Sequence, residues 1–270
     1  MPAKPSSATE RVSVVKYLNT APLIWGLERG PRRKKYELAF TTPAGCAEDL
    51  RTGRAEIGII PSIEYQRIDG LKVLPGISIA SKRRVRSVLL LAQVPIEQVR
   101  SVVLDASSRT SAALVQILFR KFYSMDVMTL PGEPDPSAML LRADAALLIG
   151  DPALVYQGPA QMIDLAAEWR KFTGLPFVFA VWTCRSGEIY SIDDVRRDFE
   201  RARDEGLAHI PEIALDWGSR LGLAAGEVSV YLTENIDYTL DEENLAGLRL
   251  FYKLAAEAGV IPAVKDLDFA

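Results

Sequence analysis

The stretch Val12-Ser13-Val14-Val15-Lys16-Tyr17-Leu18-Asn19-Thr20-Ala21-Pro22-Leu23 decides the fold. A short apolar run breaks into a loop rich in uncharged donors and then into a helix-like segment. The same crossing returns at Val102-Val103-Leu104-Asp105-Ala106-Ser107-Ser108-Arg109-Thr110-Ser111. Each crossing has a second echo about 40 residues on. In the first half it is Ala55-Glu56-Ile57-Gly58-Ile59-Ile60-Pro61-Ser62. In the second it is Ala143-Asp144-Ala145-Ala146-Leu147-Leu148-Ile149-Gly150-Asp151-Pro152. An offset of 88 carries Asn19 onto Ser107 and Ala55 onto Ala143. The repeat predicts two similar α/β lobes, each aiming a helix start at a shared cleft. A helix start offers free N–H groups and a positive dipole end, which suits an anion such as a carboxylate.

Outward from the first crossing, strands are predicted at 38–40 and 56–60, with a short amphipathic helix at 46–54 between them. Two further strands follow at 71–74 and 77–80. The run at 88–92 is continuously apolar, as expected of a strand buried on both faces. From 99 to 180 the pattern restarts: strand, Ser/Thr loop, helix at 111–123, strand, Pro/Gly loop at 131–136, short helix at 137–141, strand at 145–149. A helix at 164–172 closes near Gly174, and 177–182 is a strand. Beyond Cys184 the chain reads as helical. Ser191 with Asp193 and Asp194 marks a helix start, and helices are predicted at 192–209 and 210–221. Over 241–258, Leu245, Leu248, Phe251, Tyr252 and Ala255 share one face, and Gly259 stops the helix. The chain is thus read as lobe one over 11–95 plus 183–270, with lobe two over 96–182 inserted. Ligands in such proteins sit between the lobes, at the strand ends.

Composition narrows the function. The 270 residues are 49% hydrophobic and 25% charged, an ordinary globular balance with enough chain for a substantial core. A net charge of −3 gives no reason to expect nucleic acid. No apolar run approaches the ~20 residues that span a bilayer. Residues 1–11 form a Pro/Ser-rich lead without a hydrophobic signal segment, which points to the cytoplasm. Cys46 and Cys184 stand apart, outside any metal spacing, and read as reduced, small buried hydrophobes.

Six segments in order over residues 11–185 resemble the chorismate dehydratase family of menaquinone biosynthesis, the first enzyme of the futalosine route. They are Tyr17-Leu18-Asn19-Thr20-Ala21-Pro22-Leu23, Ile60-Pro61-Ser62-Ile63-Glu64-Tyr65, Val85-Arg86-Ser87-Val88-Leu89-Leu90, Asp105-Ala106-Ser107-Ser108-Arg109-Thr110-Ser111, Leu148-Ile149-Gly150-Asp151-Pro152-Ala153 and Thr173-Gly174-Leu175-Pro176-Phe177-Val178. The C-terminal third matches in helical character more than in motif. The resemblance implies a two-lobed type II periplasmic-binding-protein (Venus flytrap) fold with two crossover strands and a helical C-terminal part, used as an enzyme. It implies loss of water from chorismate to give 3-[(1-carboxyvinyl)oxy]benzoate. No metal or organic cofactor, nucleic acid or membrane partner is implied, and the oligomeric state is left open.

Dehydration removes a ring hydroxyl and a neighbouring ring proton, and aromatisation drives it. The site must orient the substrate, hold two carboxylates and help hydroxide leave. By resemblance Asn19 matches the family's active-site asparagine and Ser87 a binding serine, and these two are expected to carry the chemistry. Tyr17, Thr20, Pro61, Ser62, Arg86, Ser107, Ser108, Arg109, Thr110, Gly150 and Asp151 are expected to bind substrate. Each has a plainer reading. Asn19, Thr20 and the Ser/Thr cluster at 107–110 are natural helix caps. Ser87 can be a surface serine, and Arg86 belongs to a basic cluster with Arg83 and Arg84. Tyr17, Trp25, Tyr65, Phe177 and Trp182 are candidates to pack on the ring, against a default of core aromatics. Glu64 and Asp151 are the candidate carboxylate bases, and Asp151-Pro152 is also a common turn. A third choice is the enolpyruvyl carboxylate of the substrate itself. His209, the sole histidine, falls in the helical tail. That argues against the sister enzyme of the pathway, 1,4-dihydroxy-6-naphthoate synthase, which is expected to use a cleft histidine. A binding protein for a small carboxylate and a regulatory ligand-binding domain are the remaining rivals.

Overall fold

The computed structural model describes residues 9–185, 187, 189 and 191–270. The lead expected over 1–11 falls outside these as far as residue 8, while Glu10 and Arg11 already belong to the first strand.

Two five-stranded sheets form, and they repeat one another. In the first, the order is β2 (Tyr36–Thr41), β1 (Glu10–Val15), β3 (Ile57–Pro61), β10 (Phe177–Arg185), β4 (Leu71–Ser81). In the second it is β7 (Met128–Gly132), β6 (Ser101–Asp105), β8 (Ala145–Ile149), β5 (Val88–Ala92), β9 (Gln161–Asp164). Each sheet has three parallel strands, with Val12 opposite Ile57 in one and Val102 opposite Ala145 in the other. Each then adds two antiparallel partners. The sequence repeat is therefore a structural one.

The division of the chain between the sheets differs from expectation. β5 pairs with β8 and β9 in the second sheet, and β10 pairs with β3 and β4 in the first. The hand-overs fall between Ser81 and Val88 and between Asp164 and Phe177, not at 95 and 182. Both strands are long apolar runs, and an apolar run carries no mark of which sheet completes it. The two strands expected at 71–74 and 77–80 are one, bent through Pro75 and Gly76, and the short β9 was not anticipated.

Helices cover the sheets: α1 (Ala21–Glu28), α2 (Pro43–Arg51), α3 (Ser62–Tyr65), α4 (Arg109–Ile117), α5 (Pro136–Leu140), α6 (Gly150–Leu154) and α7 (Leu165–Thr173). The C-terminal third supplies α8 (Ile192–Ala208), α9 (Ile210–Leu221), α10 (Ala225–Val230) and α11 (Glu242–Glu257). A π-helical turn, Tyr231–Asn235, follows α10 directly. The expected helix ends hold at Ser191, which accepts from Asp194 N, and at Gly174 and Gly259, which take positive φ; Asp164, expected inside α7, instead caps it. α2 begins three residues before expectation because Thr42, not the turn after it, accepts from Gly45 N.

Close packing of α8 on α1 fixes where the first crossing sits. A Cβ on Gly206 would lie 1.8 Å from the Pro22 carbonyl oxygen, so only glycine allows this approach. Around it lies an apolar core that includes Trp169, Trp182, Phe199 and Phe251, all buried. Cys46 and Cys184 are buried free thiols. Among the described residues no helix is long and apolar enough to cross a membrane.

Candidate functional site

A narrow cleft, with about 60 Å³ of enclosed space, opens where the two sheets present the C-terminal ends of their parallel strands. Of the residues singled out in the sequence, Tyr17, Asn19, Pro61, Ser87, Ser108, Arg109, Thr110 and Gly150 line it. Thr20, Ser62, Arg86, Ser107 and Asp151 stand behind or beside the wall.

The first crossing keeps its donors for the cavity. Asn19 lies inside the short 3₁₀ turn Leu18–Thr20 and caps no helix. Thr20, at the N-cap position of α1, makes no side-chain cap bond; its hydroxyl donates to Asn19 Oδ1 at 3.3 Å. The ring of Tyr17 lies flat against Gly150, whose φ is +67° and where a Cβ would come within 2.7 Å of the ring. Glycine is required there for both reasons. Burial pushes the Tyr17 phenol above its ordinary value, against a hydrogen bond with Ser107, so the phenol stays protonated.

The second crossing spends its side chains on the protein. Ser107 Oγ donates to Asp105 Oδ1 at 2.7 Å, and Ser108 makes no side-chain cap bond. Thr110 Oγ1 accepts from Ile63 N at 3.2 Å and lies 3.4 Å from Ser62 Oγ, which itself donates to Val178 O at 2.8 Å. Arg109 Nη1 donates to Glu64 Oε2 at 2.6 Å. What remains for a ligand is the Ser108 hydroxyl, the Arg109 guanidinium edge and the backbone N–H groups at the start of α4. Arg86 turns away: its φ is +62°, its N–H donates to Asp164 Oδ2, and Arg86 Nη2 pairs with Glu227 Oε1 at 2.7 Å.

Neither protein carboxylate fits the role of base well. Glu64 is fully buried and ringed by Arg51, Arg67 and Arg109 at 2.8, 2.9 and 2.6 Å. Burial alone would raise its pKa, but the Arg67 hydrogen bond, the Arg109 charge and the remaining arginine hydrogen bonds outweigh that and hold it low. A carboxylate so held is a weak proton acceptor. Asp151 accepts from Leu18 N at 3.0 Å, and burial pushes it up to about 6. It stands outside the cavity wall, behind Gly150. His209 stacks on Trp25 with ring centres 5.1 Å apart and shares Nδ1 with Glu205 O, away from the cleft. Among the described residues no three His, Cys, Asp or Glu side chains converge as metal ligands would.

Sequence reasoning missed Tyr231. Its phenol, buried in the π-helical turn after α10, donates to Ser87 Oγ at 2.8 Å. Burial raises its pKa above the ordinary value, with Ser87 and Asn19 acting in the opposite sense. It thus braces one of the two residues expected to carry the chemistry. No motif marked it, although a π turn is itself a feature frequent at functional sites. Of the five aromatics expected near the ring, only Tyr17 lines the cavity. Trp25 borders a neighbouring groove, and Tyr65, Phe177 and Trp182 are core. Phe179, with Ile79, Val85 and Val88, makes the apolar wall instead.

Comparison with known proteins gives this geometry a setting. The chain is 29% identical over 255 residues to the chorismate dehydratase of Thermus thermophilus, covering 87% of this chain and 91% of that protein. A crystal structure of a protein from Archaeoglobus fulgidus superposes with a TM-score of 0.77 at 19% identity, over 96% of this chain and all of that one. The periplasmic aliphatic sulphonate binding protein of Escherichia coli superposes at 0.64 and 16% identity, over 96% and 90%. The fold is accordingly the two-lobed periplasmic-binding-protein type. A family model described as menaquinone biosynthesis matches residues 10–257, and the chain belongs to that family, alongside the chorismate dehydratases.

Proposed function

We propose that the protein is a chorismate dehydratase, eliminating water from chorismate to give 3-[(1-carboxyvinyl)oxy]benzoate in the futalosine route of menaquinone biosynthesis. The reading makes it a cofactor-free hydro-lyase of the cytoplasm. The observation that carries it is the pairing of this family with a cleft walled by uncharged donors from both crossings. The ring lies against the apolar wall of Ile79, Val85 and Phe179. The carboxylates meet Arg109 and the N–H groups at the start of α4, where the helix dipole favours negative charge. Asn19 and Ser87 donate to the departing hydroxyl, stabilising charge as it develops.

The proton goes to the substrate. With Glu64 locked among arginines and Asp151 behind the wall, the enolpyruvyl carboxylate is the acceptor best placed by its own connectivity. The C–H electron pair enters the ring, the neighbouring C–O bond breaks, and the hydroxide takes up a proton to leave as water. The protein supplies position and donors, which is where most of such a rate enhancement originates.

Incubating the purified protein with chorismate tests this. The expected result is loss of chorismate and appearance of an aromatic product lighter by one water, followed by ultraviolet absorbance and mass spectrometry. Chorismate recovered intact from a protein that binds it would make this a binding protein instead.

A further inference from the structure

Four polar side chains stand at the floor of the cleft in two hydrogen-bonded pairs. The Thr20 hydroxyl donates to Asn19 Oδ1 at 3.3 Å. Asn19 Oδ1 is engaged there, and the residue lines the cavity. The Tyr231 phenol donates to Ser87 Oγ at 2.8 Å, in a buried contact between residues 144 apart in sequence. Among the described residues no acceptor receives the Ser87 proton, and Ser87 lines the cavity. A serine that accepts from a buried phenol keeps its own proton free to donate to a ligand.

We infer that Tyr231 is a positioning residue: by donating to Ser87, it fixes the Ser87 hydroxyl as a donor aimed at the substrate, in the same sense as the Asn19 amide. The inference rests on the dehydratase reading and adds a residue to its machinery. A Ser87 proton left free toward the cavity suits an electron-rich atom, such as a departing hydroxyl. Donation from Tyr231 into Ser87 also polarises the serine, which strengthens it as the final donor. Three separate segments meet at this floor: the loop after β1, the entry to β5 and the turn after α10. The C-terminal third is thereby part of the site and not only a cover for the first sheet.

A double-mutant cycle on chorismate turnover tests this, using Tyr231→Phe, Ser87→Ala and the pair. Tyr231→Phe keeps the ring and is expected to lower kcat about tenfold, the rate value of one hydrogen bond, with KM within about threefold. Because Tyr231 acts through Ser87, adding Tyr231→Phe to Ser87→Ala should cost little more than Ser87→Ala alone. A brace that only holds the fold would give losses that multiply. Should Tyr231→Phe not fold, 3-fluorotyrosine at position 231 keeps the phenol while making it a stronger donor: kcat is expected to change in the wild-type background and to stay unchanged beside Ser87→Ala. Multiplying losses, wild-type kcat in Tyr231→Phe, or an equal effect of the fluorine with and without Ser87 would overturn the inference. Failure of the wild-type protein to convert chorismate would instead break the dehydratase reading.

Discussion

The two crossings, so alike in sequence, are put to opposite uses. At the first, Asn19 and Tyr17 face the cavity, and Thr20 supports Asn19 from behind. At the second, Ser107, Arg109 and Thr110 hold on to Asp105, Glu64 and Ile63. One crossing presents chemistry while the other, through Arg109 and Thr110, ties the lobes together and leaves the Ser108 hydroxyl, the Arg109 edge and backbone N–H groups for an anion. A repeated motif therefore identifies where a ligand sits without saying which half acts on it.

The sharpest way to break this contrast is to remove the donor at the first crossing. Asn19→Ala is expected to lower kcat/KM for chorismate by about 10²–10³-fold, the usual loss for one preorganised donor, with an unchanged melting temperature. An equal loss from Thr110→Val would erase the distinction.

Glu64 tests the opposite arm. Glu64→Gln leaves three arginines facing one another, each about a third exposed and able to take up water. The expected cost is about 3 kcal/mol of stability in urea unfolding, the low end for breaking a buried ion pair. Turnover by the folded fraction should fall far less than about 10⁴-fold; a loss beyond that with binding retained would restore Glu64 as the base.

Asp151 and Glu64 should also respond to pH with opposite signs. The folded pKa of Glu64 is depressed, so its contribution to stability is complete above its unfolded pKa and fades as pH falls through the folded one. Asp151 is raised from 3.8 to about 6, so the folded chain holds its proton more tightly and stability falls as pH rises across that window. Melting temperature against pH should show a shallower fall there in Asp151→Asn than in the wild type. The smallest effect is expected from Thr110→Val, about 1 kcal/mol from one hydrogen bond between the lobes, read by the same unfolding measurement with little change in kcat.

Much of the architecture was legible because it depends on short-range pattern. The strand–loop–helix repeat announced two similar halves, and the helix ends at Ser191 and Gly174 act over three to four residues. The matched loops led to eight cavity-lining residues. Illegible were contacts that close over long separations. Arg109 meets Glu64 from 45 residues away, and Tyr231 meets Ser87 from 144. Capping, the default for Asn19, Thr20 and Ser107, failed each time because a nearer polar partner or the cavity was available.

By itself, then, the sequence determined that two α/β halves would place two polar loops at one cleft, since periodicity and helix-start chemistry act locally. Only the tertiary structure decided which sheet took β5 and β10, which loop kept its donors free, and that a phenol from the C-terminal third would reach Ser87. Those outcomes depend on which buried polar groups find partners, and such partners are settled by packing across the whole chain.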